Sequence, residues 1–433
     1  MRPPVAAEQA HALNAVREAV QQFYADAPAV AFDPANPRVR LHEATYGAPE
    51  VWAALECLLT TRVTMGETVR AFERAFADAF SYRHGIMVNS GSSANLLAVS
   101  ALTNPALADR LKPGDEVIVP ALAWSTTVWP LIQHGLVPVV VDIDPQTLNI
   151  DPQQVERAIG PKTRGLMLVH VYGNPCDMAA LGDLARRRRL MLIEDGCEAM
   201  GAKYDGQAVG TFGRIGTFSF YYSHHITTLE GGMCVTAETE LAELCRILRA
   251  HGWVREVEQP QRYLAAHADI HPRFLFVNLG YNLRPTELQG AIGLEQLKRL
   301  DGFLRIREEN ASYWREAFAP HRRWLGMQEP TARGRSAWFG FPMWVTPDAS
   351  FTAQQLTAFL SARGIETRPI IAGNIAAQPG LKLYPHRVAG GLPHANRIMR
   401  TGFTFGNHQQ VNDEARAYVA DAVRAFLQTQ GAA

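Results

Sequence analysis

Four short stretches of this chain gather residue types that could do chemistry. Asn89-Ser90-Gly91-Ser92-Ser93-Ala94-Asn95 follows the apolar run GIMV and opens a helix-like segment. A Gly/Ser turn at a helix N-terminus presents free backbone N–H groups and the positive end of the helix dipole, which suits a phosphate. Ser and Asn are also ordinary N-caps, and the spacing is neither a Walker loop nor GxGxxG. Ile193-Glu194-Asp195-Gly196-Cys197-Glu198 places carboxylates directly after the run LMLI. Open α/β sheets bind ligands at the carboxyl ends of their strands. A carboxylate there can hold a protonated ring nitrogen, or simply cap a turn. Trp124 follows EVIVP, where an aromatic can stack on a flat ring or fill core. The fourth stretch, Phe218 to Gly232, sets His224 and His225 side by side. On extended backbone, neighbouring side chains point to opposite sides. The two rings therefore do not chelate one ion, and no HExxH or carboxylate with ligand spacing accompanies them. No metal is expected. One histidine facing a ligand and the other serving structure fits better.

Composition narrows the function classes. The 433 residues carry 42 Lys+Arg and 42 Asp+Glu, so a broad electrostatic nucleic-acid binder is excluded. Hydrophobic residues at 47% and charged residues at 19% are a globular balance. No apolar run approaches the 18 or so residues that span a bilayer, and MRPPVAAEQAHALNAVREAV lacks an apolar signal core. The five scattered cysteines, Cys57, Cys176, Cys197, Cys234 and Cys245, suit a reduced cytoplasmic protein. Lysine is scarce: only Lys112, Lys162, Lys203, Lys298 and Lys382 are present.

The elements that must position these residues read as α/β. Short apolar strands GIMV, EVIVPAL, PVVVDI, GLMLVHV, LMLIED, TFSFYY and GMCVT alternate with helical stretches at 94–102, 123–133, 152–159 and 178–189. Continuous apolar strands separated by helices predict a mostly parallel sheet covered on both faces. An extension at 1–38, helical near Glu8 to Phe23, precedes a large domain at 39–290. Helices at 286–300 and 305–318 then lead into a smaller α+β lobe, giving a C-terminal domain at 291–433. The run Arg186–Arg189 reads as a solvated helix end that complements the helix dipole.

The order of phosphate turn, Trp after a strand, EDxxEA and SFxxxxxxTxxEGG resembles the DegT/DnrJ/EryC1/StrS family of PLP/PMP-dependent nucleotide-sugar enzymes, over about residues 40–428. The resemblance implies fold-type I architecture, like that of aspartate aminotransferase. It implies a homodimer with active sites at the interface. Gly91, Ser92 and Ser219 would bind the cofactor phosphate, with Asn282 reaching that of the partner. Trp124 would stack on the ring, Asp195 would pair with its nitrogen, and Glu198 would sit nearby. Arg255, Arg368 and His225 are the substrate-side candidates, since a guanidinium fork suits carboxylate or diphosphate. The departure is informative. The family's aminotransferases carry a lysine five residues after the phosphate-binding serine, where this chain has His224. A histidine there resembles the PMP-dependent sugar 3-dehydratases, and implies that His224 is a base removing a proton. One branch of those enzymes uses an iron–sulfur cluster, yet residues 246–433 contain no cysteine. The expectation is therefore PLP/PMP without a cluster, L-glutamate as amino donor, and a nucleotide-linked 4-keto-6-deoxysugar losing its C3 hydroxyl, with GDP favoured. A sugar aminotransferase and a non-catalytic regulatory homologue are the alternatives.

Overall fold

The computed structural model describes residues 7–26 and 32–431. Helix α1 (Ala7–Asp26) forms most of the described part of the extension and packs on α2 (Ala48–Leu59). Leu13, Val16, Val20 and Tyr24 are its half-buried residues, at helical spacing. The predicted extension at 1–6 and 27–31 lies outside the described residues. Helix α3 (Glu67–Phe80) buries Val69, Phe72 and Phe76.

The alternating region follows. In chain order it runs β1 (His84–Val88), α4 (Gly91–Leu102), β2 (Glu116–Pro120), α5 (Ser125–Gln133), β3 (Val137–Val141) and α6 (Pro152–Ala158). It continues with β4 (Thr163–Val169), α7 (Met178–Arg188), β5 (Met191–Asp195), the hairpin β6 (Lys203–Tyr204) and β7 (Gln207–Ala208), β8 (Ile215–Ser219), β9 (Gly232–Thr236) and α8 (Thr239–Arg249). Strands β1, β2, β3 and β5 leave only their first residue partly exposed. Burial on both faces is why they read as unbroken apolar runs. Helix α7 ends in the arginine run, with Arg189 left-handed at its C-cap and Arg186 and Arg187 paired with Asp183.

Helices α9 (Gln261–Ala266), α10 (Glu287–Leu297) and α11 (Leu300–Phe318) lead to the second layer. Sequence spacing suggests one helix over 286–300 and a later start for the next. The chain instead breaks at Lys298–Arg299, where the Arg299 guanidinium reaches back to the Thr45 carbonyl and Glu50. Beyond lie β10 (Leu325–Met327), β11 (Gly334–Arg335), β12 (Phe341–Val345), α12 (Ala353–Ser361), β13 (Thr367–Arg368), β14 (Arg387–Val388), α13 (Pro393–Thr401), β15 (Gly402–Phe405) and α14 (Asp413–Thr429).

The large sheet has the order β1-β9-β8-β5-β4-β2-β3-β14. All its pairings are parallel except those of β9. A second, antiparallel sheet has the order β10-β12-β15-β13 and shares a core with Trp314, Leu356 and Val423. Two elements cross the boundary expected at residue 290. Helix α10 spans it and packs on α2 and α3. Strand β14 returns from the C-terminal part to the edge of the large sheet, pinned by Arg387 on Glu116 at 2.7 Å. Asp142 caps the start of α13 by accepting the His394 and Ala395 N–H groups, both at 2.9 Å.

Candidate active site

The carboxyl ends of β1, β5 and β8 face a cavity of about 340 Å³. Strand β1 ends in the Asn89–Ser90 turn, and Ser90 N-caps α4 by accepting the Ser93 N–H at 3.0 Å. The first N–H groups of α4 thus open onto the cavity, with Ser90, Gly91 and Ser92 in its wall. A side chain at Gly91 would drive its Cβ to 2.5 Å from the Ser219 Cβ. At Gly232, in the EGG motif, a Cβ would come within 2.3 Å of the Ser90 carbonyl oxygen. These two glycines let β8 and β9 close on the turn. Ser92 Oγ lies 3.0 Å from Thr126 Oγ1, next to Trp124, which is 56% exposed at the cavity.

Asp195 ends β5 and is only 4% exposed. Its Oδ2 accepts from Asn95 Nδ2 at 2.8 Å and Thr127 Oγ1 at 2.7 Å; its Oδ1 accepts the Cys197 N–H at 3.1 Å. Thr217 Oγ1 donates to Asn95 Oδ1 at 2.6 Å, which fixes the amide the right way round. Every donor is neutral, and no Lys or Arg among the described residues forms an ion pair with Asp195. A buried carboxylate normally finds a cation, so this one presents an open demand for positive charge to the cavity.

Glu194 points the other way, as strand alternation requires. It accepts the Gly210, Phe212 and Gly213 N–H groups at 2.7, 2.7 and 2.6 Å, and His170 Nε2 lies 3.1 Å away. His170 Nδ1 accepts the Cys176 N–H, which sets the Nε2–H tautomer.

Glu198 lines the cavity and accepts the Tyr172 N–H at 3.0 Å. Tyr172 is left-handed at φ 54°, which turns that N–H toward the carboxylate. Burial pushes the Glu198 carboxyl up to about 7, although the Arg368 cation opposes the rise. Arg368 reaches the cavity from β13, its guanidinium 6.0 and 5.9 Å from the Tyr172 and Phe339 ring centres. It makes no salt bridge to any described carboxylate, so its fork is available to an anion.

His224 sits in a tight turn rather than on extended backbone; its N–H bonds the Tyr221 carbonyl at 2.9 Å. Its ring lies 5.0 Å from Phe339, and its Nδ1 is buried without a partner. Burial, then the Arg368 and Arg307 cations, hold its pKa down at about 3. The imidazole is therefore neutral near pH 7 and can accept a proton. The adjacent His225 turns inward, fully buried, with Nε2 3.0 Å from the Ala337 carbonyl.

The structure thus brings Gly91, Ser92, Trp124, Asp195, Glu198, Ser219, His224 and Arg368 to one cavity. It places three other candidates elsewhere in this chain. His225 is in the core beneath the cavity. Asn282 accepts from Arg284 Nε at 2.9 Å on the loop before α10. Arg255 lies over the Trp253 ring, 5.1 Å from its centre, and lines a separate cleft. Sequence reasoning missed Asn95, Thr127, Tyr172 and Phe339. Asn95 had a legible signal, since it stands one helical turn after Gly91; Tyr172 and Phe339 had none.

Residues 46–424 match the DegT/DnrJ/EryC1/StrS aminotransferase family. This chain belongs to that family. The GDP-4-keto-6-deoxy-D-mannose 3-dehydratase of Yersinia pseudotuberculosis is 40% identical over 376 residues, covering 85% of this chain and 94% of that relative. The family fold is seen in the E. coli GDP-4-keto-6-deoxy-D-mannose-3-dehydratase with bound hydrated PLP, which superposes with a TM-score of 0.82 at 38% identity over 89% of this chain and 99% of that one. A GDP-4-keto-6-deoxymannose-3-dehydratase with a trapped PLP–glutamate geminal diamine superposes at 0.83, also 38% identical, over 89% and 100%. No helix of the described residues is long and apolar enough to cross a membrane.

Proposed function

We propose that this chain is a PLP/PMP-dependent 3-dehydratase of a nucleotide-linked 4-keto-6-deoxyhexose, with GDP-4-keto-6-deoxy-D-mannose as substrate and L-glutamate as amino donor. One observation carries the reading: His224 lines the cavity five residues after Ser219, and none of the five lysines lines it. Lys298 is spent on Glu295, for example, at 2.7 Å. A transaminase that holds its cofactor through a lysine has no lysine to use here.

The cavity fits the cofactor. Its buried Asp195 lacks a cation, its glycine turn lies at a helix N-terminus, and Trp124 offers an open aromatic face. Bound there, PLP or PMP supplies the electron sink for bond breaking next to its ring. The chain supplies the rest. The α4 N-terminus, Ser92 and Ser219 hold the phosphate. Asp195, oriented by Asn95 and Thr127, accepts the ring N–H⁺. Arg368 holds a carboxylate of glutamate. His224, neutral and lining the cavity, accepts the proton whose loss lets the C3 hydroxyl depart. In the overall balance the ketosugar loses one oxygen, while glutamate becomes 2-oxoglutarate and free ammonia. The two electrons needed come from glutamate, so no iron–sulfur cluster takes part.

The same reading has two copies meeting so that Asn282 and Arg255 serve the neighbouring site. Phe274, Phe276 and Leu279, exposed by 62, 50 and 88% just before Asn282, suit such a contact. The deciding experiment incubates the protein with PLP, L-glutamate and GDP-, dTDP- or CDP-linked 4-keto-6-deoxysugars. The expected product is lighter than its substrate by one oxygen, with equal amounts of 2-oxoglutarate and ammonia. An aminated sugar without free ammonia would establish a transaminase instead.

A further inference from the structure

Residues 39–46 form a strap with no regular structure beyond a single bridge, and residues 39–45 precede the stretch that matches the family. The strap touches the two elements that bring His224 and Arg368 to the cavity. At its start, Val39 bridges Ile365, and its carbonyl accepts the Glu366 N–H at 2.8 Å. The Glu366 carboxylate returns the contact by accepting the Leu41 N–H at 3.0 Å. These residues lead straight into β13, which carries Arg368. At the other end, Gln296 is fully buried and ties the strap to the chain just after the histidine turn. Its Oε1 accepts the Thr45 hydroxyl at 2.6 Å and the Thr227 N–H at 3.1 Å. Its Nε2 donates to the Thr45 carbonyl at 2.9 Å and to Glu50 Oε1 at 2.8 Å. The amide thus makes four hydrogen bonds, which fix its orientation.

A second observation lies in the turn itself. Tyr221, Ser223 and His224 line the cavity, whereas Tyr222 is half-buried and outside its wall. The Tyr222 ring meets two rings of the strap edge-on: His42 at 5.3 Å and Tyr46 at 6.3 Å between centres. Edge-to-face packing is a favourable aromatic geometry. The turn is therefore held from two directions. Phe339 and the Ala337 carbonyl meet its histidines, and the strap grips the tyrosine beside them. A base acts only when its side chain is held close to the productive geometry.

We infer that Tyr222, gripped by His42 and Tyr46, is a positioning residue for His224, and that the strap 39–46 sets His224 and Arg368 relative to each other across the cavity. The consequence for turnover rests on the reaction proposed above; the grip on the turn does not.

The test therefore reads both. Hydrogen–deuterium exchange of the PLP-loaded protein, followed by mass spectrometry, reads the grip. Tyr222→Ala should speed exchange in the peptide spanning 221–228 by about tenfold, the worth of two aromatic contacts, with α4 and β5 unchanged. Tyr222→Phe keeps the ring and should restore wild-type exchange. The double variant His42→Ala/Tyr46→Ala reaches the same contact from the strap. It should match Tyr222→Ala and add little when combined with it. Steady-state kinetics reads the consequence: in Tyr222→Ala, kcat for dehydration should fall about tenfold while KM for the sugar stays within about twofold. Unchanged exchange in both alanine variants, a rise spread evenly over the whole chain, or a Phe variant no better than Ala would each overturn the inference. Faster local exchange with an unchanged kcat would overturn the positioning role. Faster local exchange in a protein whose wild type dehydrates no sugar would uphold the grip and sink the proposed reaction instead.

Discussion

Strand β5 and the 221–226 turn each hold two adjacent polar residues of which one, Asp195 or His224, faces the catalytic cavity and the other, Glu194 or His225, the protein interior. On the interior side, Glu194 accepts three backbone N–H groups and faces His170, while His225 is bonded to the Ala337 carbonyl. On the cavity side, Asp195 has neutral donors and no cation, and His224 Nδ1 has no partner. The same residue types thus do opposite work a few ångströms apart. Interior groups bond to the backbone, Glu194 through both carboxylate oxygens and His225 through Nε2, and hold the strand end and the turn in place. Cavity groups are left with an unmet demand, and that demand is what a ligand answers.

Substitutions on the two sides should separate activity from stability. The largest effect is expected for His224→Asn, which should fold and bind PLP while losing dehydration by about 10²–10⁴-fold, the range for a general base. Product formation assayed by mass spectrometry checks this, and near-normal turnover would remove His224 from its role. Next comes Glu194→Ala on the interior side. It strands one buried and two partly buried N–H groups, and a loss of roughly 3 kcal/mol in urea unfolding is expected. Asp195→Asn keeps the shape but removes the charge, so PLP should bind roughly 10–100-fold more weakly with little change in folding. Absorbance titration of PLP measures it.

Glu198→Gln sharpens the comparison through pH. The folded-state pKa of Glu198 is raised from 4.5 to about 7, because burial disfavours its charged form. Its contribution to folding is therefore intact below about pH 4.5 and is lost as pH rises through 7. PLP-free wild-type protein should lose about 1 kcal/mol relative to Glu198→Gln between pH 5 and 8, after allowing for solvent screening at the cavity. A pH-independent difference would show that the carboxyl is not held in this way. The smallest effect on activity belongs to His225→Asn. It should cost about 1 kcal/mol of stability by leaving the Ala337 carbonyl unpaired, with turnover within about tenfold of wild type.

Much of the architecture was legible because parallel strands buried on both faces must be apolar throughout. The runs GIMV, LMLIED and GMCVT became β1, β5 and β9 at almost the bounds their residues suggest. Strand β14 was not legible. Two residues paired to a sheet edge by Arg387 and Glu116 leave no periodic trace. Local sequence also mistook the backbone around His224. The prediction that the two histidines diverge holds in the structure, but a turn separates them and not strand alternation.

By itself, the sequence determined the chemistry on offer: a carboxylate ending a strand, a glycine turn opening a helix, a histidine five residues after a serine, and too few lysines to stand in for it. These are local facts of residue type and spacing, and they survive any error in element boundaries. Only the tertiary structure decided which of those groups meet. Arg368 comes to the cavity from 144 residues beyond His224 in the numbering, through a sheet whose strands are set by long-range pairing. Phe339 comes from the segment just before β12, and its ring lies 5.0 Å from that of His224. Arg255 and Arg368 looked alike as isolated arginines. They face different cavities because desolvation, charge pairing and the register of distant strands are properties of the folded chain.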